Sequence, residues 1–327
     1  MPFDVVTIGS ATVDHFADTD SELIKIDTRT SHESLIAFPL GSKLLINELR
    51  VTTGGGGTNT AVAFSRMGLK TAFLGKIGED ANGDVVMSML NEEHIQFIGA
   101  RGGQTGFSVI LNSIEDDRSI LAFKGCNDHL SPADVKPFKT QWIYLSSMLG
   151  ESFETVSELI ARQGCKVAFN PSNYQAQMGY KKLMALLEHV TLLVVNREEA
   201  CKLLNRDYAQ QWEVEPLLKE LSELLPCELF LITDGSRGAF AYDRARYYHG
   251  QPLKGLNIVE TTGAGDAFAS TFTAAIIKGE PVERALDYAM TNSESVLEHK
   301  GAKEKLLTWE EVRAMAAAHS RAVEVHD

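Results

Sequence analysis

The stretch Glu260-Thr-Thr-Gly-Ala-Gly-Asp-Ala-Phe268 decides how the rest of the chain reads. Gly263, Ala264 and Gly265 are small, and they run into a helical pattern with Asp266 at its start. Without bulky side chains, successive backbone N–H groups can turn toward one point, where the helix dipole adds partial positive charge. That makes a cradle for an anion. A carboxylate beside such a cradle suits phosphoryl transfer to a hydroxyl: the amides steady developing charge while the acid takes the proton. The alternative is a plain helix N-terminus where Asp266 only complements the dipole, worth about 0.3–1 kcal/mol.

Bulk properties narrow the field. A chain of 327 residues with 44% hydrophobic and 23% charged residues is an ordinary globular composition, long enough for one large α/β domain or two smaller ones. A net charge of −13 argues against nucleic acid or an anionic membrane surface as partner. Cys126, Cys165, Cys201 and Cys227 are widely spaced, with no C-x-x-C pair, which suits reduced thiols better than disulfides or a zinc site. The start Met-Pro-Phe-Asp-Val-Val lacks a signal-peptide pattern, and no apolar run approaches ~20 residues. A cytoplasmic location is expected.

Short apolar runs alternate with helical patterns along most of the chain. Candidate strands are Val5–Gly9, Thr71–Ile77, Trp142–Leu145, Lys166–Phe169, Leu192–Val195 and Leu229–Thr233. Between them lie candidate helices Asn59–Met67, Gly83–Glu93, Phe153–Arg162, Gln177–His189, Glu198–Leu204 and Glu215–Leu225. This rhythm predicts βαβ units and a largely parallel sheet covered on both faces. The last third reads as helices Gly265–Lys278, Val282–Glu298 and Thr308–His319, the last opened by a Thr308-Trp-Glu-Glu311 capping box. Residues 31–52 and 104–124 instead alternate apolar and polar, with an acidic turn at Ile114-Glu-Asp-Asp117. They read as half-exposed antiparallel strands, either an inserted lid over a pocket or an edge extension of the main sheet. The expected division is 1–13, 53–95 and 126–327 as the main domain, with 14–52 and 96–125 as a β-rich lid.

Other motifs stand just past strands or at helix starts. Thr53-Gly-Gly-Gly-Gly-Thr-Asn59 places four glycines before a helix, implying close approach of chain or ligand. It is neither a Walker A loop nor a G-x-G-x-x-G fingerprint. Asn59 could cap the helix or present its amide to a polyol. Asp14, after the first strand, could bind sugar hydroxyls or simply form a turn. Asn196-Arg-Glu-Glu199 could be a capping box, or could hold hydrated magnesium near phosphates. Thr233-Asp-Gly-Ser-Arg-Gly238 could pass close to a nucleotide or be a simple hairpin turn.

Taken in order and spacing, these motifs resemble the ribokinase (PfkB-type) family of carbohydrate and nucleoside kinases, over nearly the whole chain. GGGGTN at 54–59 resembles its first signature and TTGAGDAF at 261–268 its second. The resemblance implies a ribokinase-like three-layer α/β/α fold, with a mostly parallel central sheet and a small antiparallel β lid. It implies an ATP-dependent, magnesium-requiring kinase for a small sugar or nucleoside. Asp266 would be the catalytic base, and the amides of Gly263, Ala264 and Gly265 the anion hole. Asp14, Gly55, Gly56, Gly57 and Asn59 would bind substrate. Asn196 and Glu199, Thr233, Gly235, Gly238 and Asn292 would form the ATP side, with Glu199 acting on magnesium through water. The lid would also serve a homodimer in some members. Two departures stand out. Glu260 replaces the Asp that many members associate with a monovalent cation such as K+, and Ser146-Ser147-Met148 replaces the Glu expected of ribokinases proper. A sugar-phosphate kinase would want an extra basic group, for which Lys43, Arg50, Arg101, Arg118 and Lys124 are candidates. A catalytically silent binding sensor on the same fold is the rival from another class.

Overall fold

The computed structural model describes residues 2–19, 22–27, 32–38, 40–41, 43–112, 118–319 and 321–327. The acidic turn expected at 114–117 lies outside the described residues.

The fully apolar strands do stack in parallel. Among the described residues the main sheet has ten strands, in the spatial order Val323–His326, Tyr247–Gly250, Ala239–Tyr242, Leu229–Thr233, Leu192–Asn196, Lys166–Phe169, Thr140–Leu145, Phe3–Ile8, Thr71–Leu74 and Gln96–Phe97. From Leu229–Thr233 to Gln96–Phe97 every pairing is parallel; the three strands beyond are antiparallel. Strand alternation sends neighbouring side chains to opposite faces. Val6, Ile143, Leu145, Phe169, Leu193 and Phe230 join one core, whereas Val5, Tyr144, Ala168, Leu192, Val194 and Leu231 join the other. Helices close both faces. Val214, Leu217, Leu218 and Leu221 form the buried stripe of helix Val214–Leu224 on one side. On the other, helix Ala264–Ile277 is a run of Ala, Ser, Thr and Phe buried on nearly every side between helices Gly56–Arg66 and Val282–Leu297. Each large side chain so buried contributes about 1.5–3 kcal/mol.

A second, four-stranded sheet orders Arg118–Phe123, Gly106–Asn112, Thr12–Thr19 and Ile46–Gly54. Its two outer pairings are antiparallel, and the central one, Gly106–Asn112 with Thr12–Thr19, is parallel. A separate two-stranded sheet pairs Glu22–Asp27 with His32–Ala37. The stretch 96–101, placed in the lid by sequence, instead pairs with Thr71–Leu74 and with Lys76–Ile77.

Two local readings change and one holds. The helix expected over Gln177–His189 is two, Asn173–Ala176 and Tyr180–Leu187, broken where Gly179 adopts φ 76°. The strands Ala239–Tyr242 and Tyr247–Gly250, which show no apolar–polar alternation, and the four-residue terminal strand Val323–His326, which alternates but is short, were not expected. The Thr308–Glu311 capping box is present, with the Thr308 amide donating to the Glu311 carboxylate at 2.8 Å and the Glu311 amide donating to Thr308 Oγ1 at 3.3 Å.

Candidate active site

The parallel strands all point their C-terminal ends at one rim, which is where ligands sit in open α/β sheets. Two helix starts meet there. The strand Phe3–Ile8 runs into Gly9 and Ser10, and Ser10 O accepts from the amides of Gly57 (3.1 Å) and Thr58 (3.4 Å) at the start of helix Gly56–Arg66. Three of the four glycines are explained by this crossing. A Cβ on Gly54 would lie 1.9 Å from Asp14 Oδ2, one on Gly55 2.5 Å from Ser10 O, and one on Gly57 2.7 Å from the Gly9 backbone. Gly55 is also left-handed, at φ 94°. Thus chain approaches chain here, and Gly56 faces outward toward Ser146 and Asp266.

Asn59 does not cap that helix. Gly55 occupies the cap position, and Asn59 sits within the first turn. Its Nδ2 donates to Asp266 Oδ2 at 2.8 Å, while its buried Oδ1 has no hydrogen-bond partner. An unpaired buried acceptor costs about 1–3 kcal/mol, so it invites a donor such as a substrate hydroxyl. Asp14 is buried on the lid strand Thr12–Thr19 and accepts from Thr12 Oγ1 at 3.1 Å.

Helix Ala264–Ile277 begins at Gly263, which holds φ 82°. A side chain at that position would strike Ala302, 2.4 Å from an ideal Cβ, so only glycine fits. The first amide to close onto the helix is that of Ala267, donating to Gly263 O at 2.8 Å. The first-turn amides before it have no carbonyl partner within the helix and point along its axis. Among them, the Ala264 amide leans toward Thr261 O at 3.4 Å. Burial pushes the Asp266 carboxyl up, while the Asn59 amide and the Lys303 ammonium oppose that rise. A carboxyl lifted this way is a better proton acceptor, provided it stays ionised.

Asn196 and Glu199 do form a capping box. The Glu199 amide donates to Asn196 Oδ1 at 2.8 Å, and the Asn196 amide donates to Glu199 Oε2 at 2.9 Å. Both also line a cleft of roughly 230 Å3 with Asn170, Thr233, Gly263, Gly265 and Asp266. The cap and site readings therefore coexist. Burial raises the Glu199 carboxyl to about 7, with Glu198 adding to the rise and the Asn196 amide opposing it.

Other expected residues are placed differently. Gly235 (φ 51°) and Gly238 (φ 91°) shape the turn after Thr233, with Gly238 packed against Gly250 O. Asp234 of that turn is held by Arg197 at 2.9 Å and by Arg237. Asn292 is fully buried; it donates to Thr271 Oγ1 (2.7 Å) and accepts from the Leu307 amide (2.9 Å), so its side chain ties helices together instead of facing the cleft. Among the basic candidates, Arg101 is occupied by Gly78 O and Asp84, and Arg50 by Glu260. Lys43 is exposed, and the side chain of Arg118 lies outside the described residues.

Sequence reasoning missed two residues. Asn170 directly follows strand Lys166–Phe169, the position that flagged Asn196 and Thr233, so the same rule would have found it. Lys303, between helices Val282–Leu297 and Trp309–His319, carried no such signal.

The arrangement is that of a phosphotransferase: a carboxylate at a helix N-terminus, an amide aligning it, and a polar cleft along the strand ends. Comparison with known proteins agrees. Residues 3–309 match the family described as pfkB family carbohydrate kinase, and the chain belongs to that family. It is 26% identical over 253 residues to an uncharacterized sugar kinase of Archaeoglobus fulgidus, covering 75% of this chain and 98% of the relative. It is 26% identical to a 5-dehydro-2-deoxygluconokinase of Halalkalibacterium halodurans, covering 96% and 94% of the two chains. In fold it is similar to the crystal structure of a Methanocaldococcus jannaschii nucleoside kinase, with TM-score 0.77 and 20% identity over 97% and 99% of the two chains. A Cryptococcus neoformans ribokinase solved in complex with ADP gives TM-score 0.75, with 20% identity over 96% and 99%. The chain is thus a kinase of the carbohydrate-kinase type, with the ribokinase fold.

Proposed function

We propose that the protein transfers the γ-phosphoryl group of ATP to a hydroxyl of a small sugar or sugar-like substrate, with Asp266 as base. The observation that supports this most is the Asn59–Asp266 hydrogen bond, which brings the glycine-rich segment and the anion cradle to one cleft. Substrate hydroxyls would donate to Asp14 and to the free Oδ1 of Asn59, placing one hydroxyl against Asp266. Asp266 would accept its proton as the phosphorus–oxygen bond forms. The amides at the start of helix Ala264–Ile277 would steady the transferring group. Asn196, Glu199, Thr233, Gly235 and Gly238 would border the nucleotide.

The described residues include no cluster of three or more His, Cys, Asp or Glu able to cage a metal. That fits magnesium, which keeps several waters and leans on phosphates. Glu199 would hold it through water, where it would neutralise charge on the phosphates. Glu260 Oε2 already accepts from Arg50 Nη2 (3.1 Å) and from the Gly301 amide (2.9 Å), so Arg50 takes the place of a monovalent cation on that oxygen, while the buried Oε1 has no hydrogen-bond partner and stays open to one.

A substrate with an acidic or phosphate group is the second reading. A cavity of roughly 130 Å3 lined by Ser10, Lys124, Asn127, Ser147 and Ser172 adjoins the glycine-rich segment, with Lys124 over the Tyr174 ring at 5.7 Å; Asp128 also lines it. ADP release with Mg-ATP across neutral pentoses, hexoses, nucleosides and sugar phosphates tests both readings. Turnover with a neutral acceptor supports the first and turnover only with phosphorylated acceptors the second; binding without ADP release would point to a sensor.

The lid sheet exposes Leu49 (58%), Val51 (49%) and Leu121 (60%), which supports a homodimer through the lid. No described helix is long and apolar enough to cross a membrane.

A further inference from the structure

Lys303 is part-buried as a residue, but its ammonium is enclosed behind the substrate side of the cleft. Its Nζ donates to Thr53 O at 2.7 Å and to Thr53 Oγ1 at 3.2 Å, just before the four glycines. Its own carbonyl accepts from Arg66 Nη1 at 2.8 Å, at the end of helix Gly56–Arg66. Its neighbour Ala302 packs on Gly263, the first residue of the anion cradle. The pair Ala302-Lys303 therefore touches both halves of the site, Ala302 at Gly263 and Lys303 at Thr53, without lining the cleft with Asp266.

The charges around it come from four elements. Asp14 on the lid strand, Asp266 on helix Ala264–Ile277 and Glu93 at the end of helix Ala81–Glu92 attract the ammonium; Arg66 repels it. Glu93 and Arg66 already pair with each other, at 2.5 Å and 3.1 Å. Asp14 and Asp266 accept only neutral side-chain donors among the described residues, Thr12 Oγ1 and Asn59 Nδ2, so Lys303 acts on them through space and not by contact. Burial drives the amine down to about 7, against the pull of both carboxylates. The reverse effect is felt at Asp266, where Lys303 opposes the rise caused by burial.

We propose that Lys303 is a positioning residue of the reaction: an internal ammonium, anchored on Thr53, that supplies the shared counter-charge for Asp14 and Asp266. This inference rests on the reading of Asp266 as base. Below about pH 7, where the amine carries its proton, it would keep the base ionised until substrate arrives, and at any pH its bonds to Thr53 would hold the glycine-rich segment at the correct distance. Two carboxylates converging on one cleft without a counter-charge would disfavour ionisation of at least one of them. Methionine at 303 would keep the packing but lose both the charge and the hydrogen bonds to Thr53.

The test uses the whole protein labelled with [4-13C]aspartate, the resonance lost in Asp266→Asn identifying Asp266. In Lys303→Met its titration midpoint should rise by about one pH unit, and in Lys303→Arg it should stay near the wild-type value. Conversely, in 13Cε-lysine spectra the Lys303 amine should titrate lower in Asp266→Asn than in wild type. An unmoved Asp266 midpoint in a folded Lys303→Met protein would overturn the proposal. Should Lys303→Met not fold, the amine titration decides: equal midpoints in wild type and Asp266→Asn would overturn it equally. Full phosphoryl transfer by Asp266→Asn would instead sink the base assignment alone, since the coupling between the two charges is read independently of turnover.

Discussion

The Asn59 amide and the Asp266 carboxylate meet at 2.8 Å although 207 residues separate them in the chain. One belongs to the helix after the glycine-rich segment, the other to the helix that starts at Gly263. Two helix N-termini, both carrying partial positive charge, thus face one acid.

Asn59 donates to Asp266 and keeps Oδ1 unpartnered, so on the proposed reading it both aligns the base and receives a substrate hydroxyl. Asn59→Leu removes both while keeping approximate volume. A hydrogen bond to a charged group is worth about 1.5–3 kcal/mol, so kcat/KM should fall by roughly 10–150-fold. Steady-state kinetics checks this, with unchanged kcat and KM as the contrary result.

Glu199 should make stability depend on pH. Its folded carboxyl is raised to about 7, against 4.5 as its ordinary value. The folded state therefore holds the proton more tightly, and its stabilising effect is fully present below about pH 4.5 and is lost as pH rises through 7. Glu199→Gln keeps an acceptor for the Asn196 amide but cannot ionise. The variant should melt at higher temperature than wild type at pH 8, by an amount equivalent to at most ~3 kcal/mol, and alike at pH 4.5. Parallel melting curves across that range would rule out the shift.

Arg50 ties the lid strand Ile46–Gly54 to Glu260, just ahead of the anion cradle, and its guanidinium stacks over Phe16 at 4.1 Å. Removing only one partner leaves the other enclosed and unpaired. A double-mutant cycle of Arg50→Met and Glu260→Gln should give a coupling of about 1–2 kcal/mol in urea unfolding. Simple additivity would mean that the pair does not fasten the lid. If Arg50 supplies the one cation Glu260 needs, turnover is indifferent to exchanging K+ for tetramethylammonium; strong activation by K+ would show that the unpartnered Glu260 Oε1 serves a second.

Gly55→Ala should destabilise the protein. A left-handed φ of 94° alone costs about 1–3 kcal/mol for alanine, and the new methyl would meet Ser10 O at 2.5 Å. Thermal melting should show a clear fall, whereas Gly235→Ala, with open space around its Cβ, should lose only the backbone part.

Much of this was legible before any coordinates. The apolar runs at Leu192–Val195 and Leu229–Thr233 can hardly be anything but buried parallel strands, and residues just past them had to gather on one rim. Asp266, Asn59, Asn196 and Thr233 followed from that rule. What escaped depends on contacts between distant segments. Asn59 reads as a cap because nothing local reveals that Gly55 takes that place. Asn292 looks like a site residue until Thr271 and Leu307 are seen to claim its amide. Lys303 carries no motif at all; only its hydrogen bonds to Thr53 and the packing of Ala302 on Gly263 place it between the two glycine-bearing segments.

The central claim is that Asp266 takes the proton from the acceptor hydroxyl. Its most direct test is turnover of Asp266→Asn with Mg-ATP and the best acceptor from the sugar and nucleoside panel, alongside ATP affinity by calorimetry. The account predicts a fall in kcat of about 10²–10⁴ with ATP binding nearly unchanged. Turnover close to wild type would contradict it.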